Sequence, residues 1–245
     1  MGMVIWQGMS QLDGVTPIVV IATGLDSSSA NSKTGGMIQT FILRADIEPH
    51  EALKTGQDGA ICGVCPHRGK ASGGTGACYV RVYQAPLSTY RAWQRGNAEP
   101  FDIARFAGKR VRIGSYGDPA AVPVHVWQGI VAVAEATTGY THQWRIADPA
   151  FAEFCMASTD SVAERRLARS KGYRTFGVRA LGTERERGVV ACPASEEAGK
   201  RTTCADCLQC GGTGSGRKAD ISIVAHGASK RSFAALPLSV VAAAV

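Results

Sequence analysis

The stretch SVAERRLARSKGYRTFGVR, Ser161 to Arg179, carries one complete helix-then-strand unit. Ser161 followed three residues later by Glu164 is a capping box, which starts a helix. Gly172 stops that helix, and YRTFGVR (173 to 179) reads as the next strand. The same segment is the densest basic run in the chain, from Glu164 to Arg174. It suits either a solvated helix face or a polyanion contact.

The pattern repeats in both directions. Upstream, AFAEFCMAS (150 to 158) passes from a short helix into a strand, and YTHQW (140 to 144) is a strand. The run from 121 to 139 reads as helix after Pro123, with Gly139 as its stop. RVRIGS (110 to 115) is a strand, and 87 to 96 and 101 to 108 read as helices. TPIVVIATG (16 to 24) and MIQTFILRA (37 to 45) are strands around a polar loop from 25 to 36. Downstream, GVVAC (188 to 192) and DISIVAHG (220 to 227) complete the set. Alternating strands and helices predict an α/β fold with a mostly parallel sheet or a partial (β/α) barrel, its ligand sites at the strand C-terminal ends. We divide the chain into an N-terminal strand segment (1 to 58), an α/β core with an early cysteine loop (59 to 187) and a four-cysteine segment (188 to 245).

The eight cysteines fall in two groups and one singleton. Cys192, Cys204, Cys207 and Cys210 supply four thiols, three of them at C-x2-C-x2-C spacing. Two intervening residues let neighbouring thiolates reach one metal from a tight turn. The set fits zinc or a [4Fe–4S] cluster, and the tight run favours iron–sulfur. Cys62, Cys65 and Cys78 form the early set, with His67 close in sequence. Three thiolates and an imidazole close a zinc site, whereas three thiolates alone leave one iron of a [4Fe–4S] cluster open. His67 beside Arg68 also reads as a surface residue. Cys155, in apolar FAEFCMAS, reads as a buried small hydrophobe.

The strand-end rule selects Ser115, Tyr116, Gly117 and Asp118 in GSYGDP, then His142 and Trp144, then Ser158, Thr159 and Asp160, and Arg179. Gly117 would let backbone approach a ligand; the same turn also reads as a plain βα loop with Asp118 heading a helix. Catalytic candidates are Tyr116, Asp118 and His142. Lys33 lies in SKTGG, which lacks a Walker A frame; it reads as an exposed loop residue or an anion contact.

Net charge is +7, from 27 Lys and Arg against 20 Asp and Glu. That excess suits DNA or RNA as partner, or simply a basic soluble protein. No apolar run reaches eighteen residues; LPLSVVAAAV (236 to 245) is too short to span a bilayer. Asp13 stands where a signal peptide would be basic, so a cytoplasmic protein without membrane attachment is expected.

In order, these motifs resemble radical S-adenosylmethionine (SAM) enzymes with an auxiliary cluster. More closely, they resemble phage proteins of the "gene product eighty-eight" type. The shared features are Asn31 to Gly35 as N-x-K-T-G, a cysteine loop ending in Cys78–Tyr79, the Gly117–Asp118 strand end and the C-terminal cysteines. The resemblance spans roughly residues 31 to 210 as ordered motifs. It implies that Cys62, Cys65 and Cys78 hold a [4Fe–4S] cluster whose open iron takes SAM, with Ser115, Gly117 and Asp118 as cofactor contacts. The loop here is C-x2-C-x12-C rather than the C-x3-C-x2-C of radical SAM enzymes. The expected function is an iron–sulfur protein, radical SAM-like, acting on nucleic acid. The alternative is a zinc-stabilised nucleic-acid-binding or phage accessory protein without catalysis.

Overall fold

In the computed structural model, which describes residues 1–26, 31–227 and 230–233, one ten-stranded sheet runs through the chain. Its strands are β1 (Gly2–Met9), β2 (Pro17–Thr23), β3 (Ile38–Arg44), β4 (Ala98–Glu99), β5 (Arg110–Tyr116), β6 (Ala136–Thr141), β7 (Met156–Thr159), β8 (Thr175–Arg179), β9 (Val189–Ala191) and β10 (Asp220–Val224). The spatial order is β4-β1-β2-β3-β5-β6-β7-β8-β10-β9. From β3 through β10 to edge strand β9, neighbours are parallel; β1, β2 and β3 pair antiparallel. The sheet is α/β, mostly parallel and open, so no closed barrel forms.

The helices are α1 (Pro49–Lys54), α2 (Gly59–Cys62), α3 (Ala85–Gln94), α4 (Val124–Val133), α5 (Val162–Ser170), α6 (Cys204–Cys207) and α7 (Lys230–Phe233). Strands β3, β5, β6, β7, β8 and β10 are adjacent in chain order. Right-handed crossovers between strands ordered this way all fall on one face of the sheet. That face is the main core: Val111, Ile113, Cys155 and Ala157 pack with Trp127 and Ile130 of α4 and Ala168 of α5. The other face carries the alternate residues Tyr140, Phe176, Val178, Ile221 and Ile223, which form a second apolar cluster with Cys192, Cys204 and Cys210.

Several boundaries differ from the sequence reading. Strand β1 is absent from it, although Met3 and Ile5 alternate inward. The helix expected to Gly139 ends at Val133, and β6 starts at Ala136. The β-branched pair Thr137–Thr138 favours strand there. Gly139 is therefore no helix stop. It lies within β6, where a Cβ would sit 2.7 Å from Cys155 Sγ. Residues 142 to 144 lie beyond that strand, and the helix expected over 101 to 108 is a single 3-10 turn, Ile103–Phe106.

Ser161 does cap α5, accepting a hydrogen bond from the Glu164 N–H at 3.1 Å. The helix is less free for polyanions than its sequence suggests. Arg165 pairs with Glu186 and Asp220, Arg169 pairs with Asp220, and Arg174 is buried against the Ala219 and Gly212 carbonyls. No helix among the described residues is long and apolar enough to cross a membrane. The LPLSVVAAAV segment and residues 27–30 of the polar loop lie outside the described residues.

Candidate metal centres facing one cavity

The early cysteine loop follows β3. Its turn is fixed by Gly63, whose φ is +55° and whose missing Cβ makes room for the Gln143 amide. Gln143 in turn donates to the Cys62 carbonyl at 3.1 Å. Asp58 holds the loop through Ser72 Oγ, and Cys78 N–H donates to the His67 carbonyl at 2.8 Å. Cys62, Cys65 and Cys78 are thereby brought within electrostatic reach of one another. Burial, reinforced by Cys65 and the Asp58 carboxylate, pushes the Cys62 thiol well up; burial takes Cys78 to about 11.

The late set is anchored by the N-x-K-T-G segment, Asn31 to Gly35. Cys204 N–H donates to the Lys33 carbonyl at 2.8 Å and Ala205 N–H to that of Thr34 at 3.2 Å. Gly35, at φ +66°, leaves no room for a Cβ, which would lie 2.8 Å from Thr203 Oγ1. Thr203 caps α6. Gly139 N–H of β6 donates to the Cys210 carbonyl at 3.1 Å, which ties the far end down. Burial raises Cys192 and takes Cys210 to about 12. Thiols raised this far stay protonated unless a metal takes the proton's place.

Both sets border one cavity of about 210 Å³ on the second sheet face. Cys65 and Cys78 reach it from one side; Cys192, Cys204, Cys207 and Cys210 reach it from the other. Its floor is the inward row Thr138, Tyr140, Ser158, Phe176, Val178, Ile221 and Ile223.

The two sides differ in charge. Beside the late thiols lie two cations. Arg112 is only 6% exposed, sits 4.3 Å over the Tyr140 ring and donates to Tyr79 Oη at 3.3 Å. Among the described residues it pairs with no carboxylate. Burial alone would lower its pKa, but the Tyr140 and Tyr79 phenols and the Cys204 thiol hold it up. Lys33 Nζ lies 3.0 Å from His226 Nε2; burial lowers its pKa, and the Cys192 and Cys204 thiols oppose that. Lys33 is thus a half-buried cavity residue rather than an exposed one. Beside the early thiols lie the buried carboxylates Asp58 and Asp118 instead.

Among the described residues no three thiol sulfurs lie within 4.8 Å of one another. A single zinc ion, with Zn–S bonds of about 2.3 Å, draws its thiolates to roughly 3.8 Å apart. A four-iron cube, which places iron and sulfide between its ligands, holds them wider. The N–H groups of Ala194 and Val80 donate to Cys192 and Cys78, and the Tyr140 hydroxyl bonds Cys210.

The GSYGDP residues stand elsewhere. Ser115, Tyr116, Gly117 and Asp118 do not line the cavity. Ser115 Oγ bonds Gln39 Oε1 at 2.7 Å. Gly117, at φ +81°, presses on β3, where a Cβ would lie 2.8 Å from the Ile42 carbonyl. The buried Asp118 carboxylate accepts from Thr141 Oγ1 at 2.7 Å, His142 N at 2.8 Å and Ala120 N at 3.0 Å. Tyr116 is buried with an unpartnered hydroxyl close to Cys62 and Asp58. Of the catalytic candidates His142 alone borders the cavity. Trp144 is structural, its Nε1–H donating to the Ser158 carbonyl at 2.9 Å, and Arg179 pairs with Glu197. Cys155 is fully buried on the opposite face, as expected.

His67 is corrected most. It is 8% exposed, not a surface residue, and its Nε2 lies 2.7 Å from Asp160 Oδ1. Arg112 and Tyr140 escaped the sequence reading. Both occupy inward positions within strands, and the strand-end rule looks only beyond them. Comparison with family models, curated proteins and solved structures returns no match.

Proposed function

We propose that the protein is a two-cluster iron–sulfur enzyme, radical SAM-like, whose Cys62, Cys65 and Cys78 hold a [4Fe–4S] cluster with one open iron and whose Cys192, Cys204, Cys207 and Cys210 hold a second. The observation that carries the reading is that members of both cysteine sets, Cys65 and Cys78 on one side and the four late cysteines on the other, border one cavity over a face of the parallel sheet. A protein that uses metal only as a staple has no need to turn two sites toward a shared space.

Held by Cys62, Cys65 and Cys78, such a cluster would supply one-electron reductive cleavage of a sulfonium S–C bond, with the electron coming from a low-potential one-electron donor. The chain's own part is binding and exclusion. The apolar strand row keeps water from the cavity, and the aspartates around the early set disfavour added electrons there. Buried Arg112 is a cation without a carboxylate partner among the described residues, and a four-thiolate cluster would supply the anion beside it and the half-buried Lys33. The same cations suit an anionic substrate. With the +7 charge, a nucleic acid presenting one nucleotide is the substrate class proposed. The cavity is too small for a duplex.

Iron and acid-labile sulfide in anaerobically purified protein test this reading. Two clusters require eight of each per chain, about half of which is lost in Cys207→Ser. Stoichiometric zinc with no sulfide would replace the reading with the zinc-stabilised binder.

A further inference from the structure

Three side chains from three separate elements meet beside the cavity, which the two histidines line: His67 from the early loop, His142 just after β6 and Asp160 just after β7. One ligand atom from each lies within 4.8 Å of the others. His67 Nε2 is 2.7 Å from Asp160 Oδ1, and His142 Nε2 is 3.5 Å from Asp160 Oδ2. We propose that His67, His142 and Asp160 form a mononuclear site for a divalent first-row transition metal, adjoining the early cysteine set and using none of its thiols.

The distances fit. With metal–ligand bonds of about 2.1 Å and the Asp160 carboxylate binding through both oxygens, those two separations subtend about 80° and about 113°. His142 Nε2, the ligand atom on that ring, is buried with its nearest carboxylate oxygen only at 3.5 Å and no geometrically formed hydrogen bond. An unpartnered buried nitrogen costs free energy that a bound ion recovers. Two imidazoles and one carboxylate suit iron(II) or zinc rather than magnesium or calcium. Both histidines border the cavity, so coordination positions left free open onto it.

The surroundings hold the ligands in place, as metal sites require. The backbone N–H of His142 donates to Asp118 Oδ2 at 2.8 Å, and that of Asp160 to Glu164 Oε2 at 2.7 Å. Glu164 is fixed in turn by Arg145 at 2.6 Å. Phe233 stacks on His67 with ring centroids 5.1 Å apart. Asp118 and Glu164 thereby acquire a shared purpose that a plain turn and a plain helix cap do not give them.

Cobalt(II) alone is the probe, titrated into the purified full chain and followed by absorption. Nitrogen and oxygen ligation gives weak visible bands without the intense sulfur-to-cobalt charge transfer of the cysteine sites, so the two kinds of site are read separately. The site predicts one equivalent of the weak-band kind, weakened by at least about 100-fold in Asp160→Asn and in His67→Gln. The charge-transfer band stays in both variants, and their melting curves confirm folding. Where the cysteines carry iron, the cluster absorption replaces the charge-transfer band as the reference signal and the weak cobalt bands are read as a difference spectrum against the cobalt-free sample. Weak-band cobalt that is absent from the wild type, or bound equally by wild type and both variants, overturns the proposal. The group is then a hydrogen-bonded His–Asp–His relay.

Discussion

Replacing Asp118 by alanine separates a scaffold residue from a cofactor contact. Three donors converge on this buried carboxylate: the Thr141 hydroxyl, the His142 N–H and the Ala120 N–H. In Asp118→Ala the hydroxyl can rotate toward another acceptor, but the two backbone groups cannot. Each buried donor left unsatisfied costs about 1–3 kcal/mol, so the expected loss is about 2–6 kcal/mol. That is a large share of a typical total of about 5–15 kcal/mol. At about 2–4 °C per kcal/mol for a chain of this length, the melting temperature falls by roughly 10 °C. Asp118→Asn keeps the volume and one acceptor oxygen while turning an amide donor toward a backbone donor, so it loses less than alanine does. Differential scanning fluorimetry and urea unfolding read both variants. If Asp118→Ala melts within about 2 °C of wild type, the scaffold argument fails and a direct ligand contact becomes the better account.

Gly117→Ala should destabilise by about 2–4 kcal/mol, because φ is +81° and its Cβ meets Ile42; unchanged urea midpoints would contradict this. Cys155→Ala should leave metal content untouched and cost about 1 kcal/mol, which metal analysis and unfolding check together. Cys207→Ser should lower metal at the late site alone and reduce thermal stability, since binding energy there is folding energy; equal metal content and melting temperature would contradict it. Any affinity for single-stranded nucleic acid should be sequence-tolerant and fall steeply between low and moderate salt, as filter binding over a salt series measures.

The alternation that defines the sheet was legible because β5, β7, β8 and β10 carry strong apolar or β-branched runs bounded by turn residues. β6 was not, because its Thr137–Thr138–Gly139 core follows an apolar helix without an intervening break signal. β1 was hidden by glycines at its ends and by half-exposed positions between Met3 and Ile5. The cysteine grouping could be read from spacing, but that the two sets share a cavity follows from strand order, which spacing does not encode. His67 looked like a surface residue because its neighbours are polar. Its partner, Asp160, lies 93 positions away. GSYGDP showed the reverse: Gly117, which suggested ligand approach, serves close packing on β3.

The central claim is that the early cysteines hold a cluster with an iron open to SAM. Anaerobic reconstitution, reduction and electron paramagnetic resonance, with and without SAM, test it most directly. The account predicts two overlapping cluster signals, of which one changes when SAM is added, and Cys78→Ala removes that change while leaving the other signal. A verified two-cluster sample whose spectrum is untouched by SAM contradicts the claim.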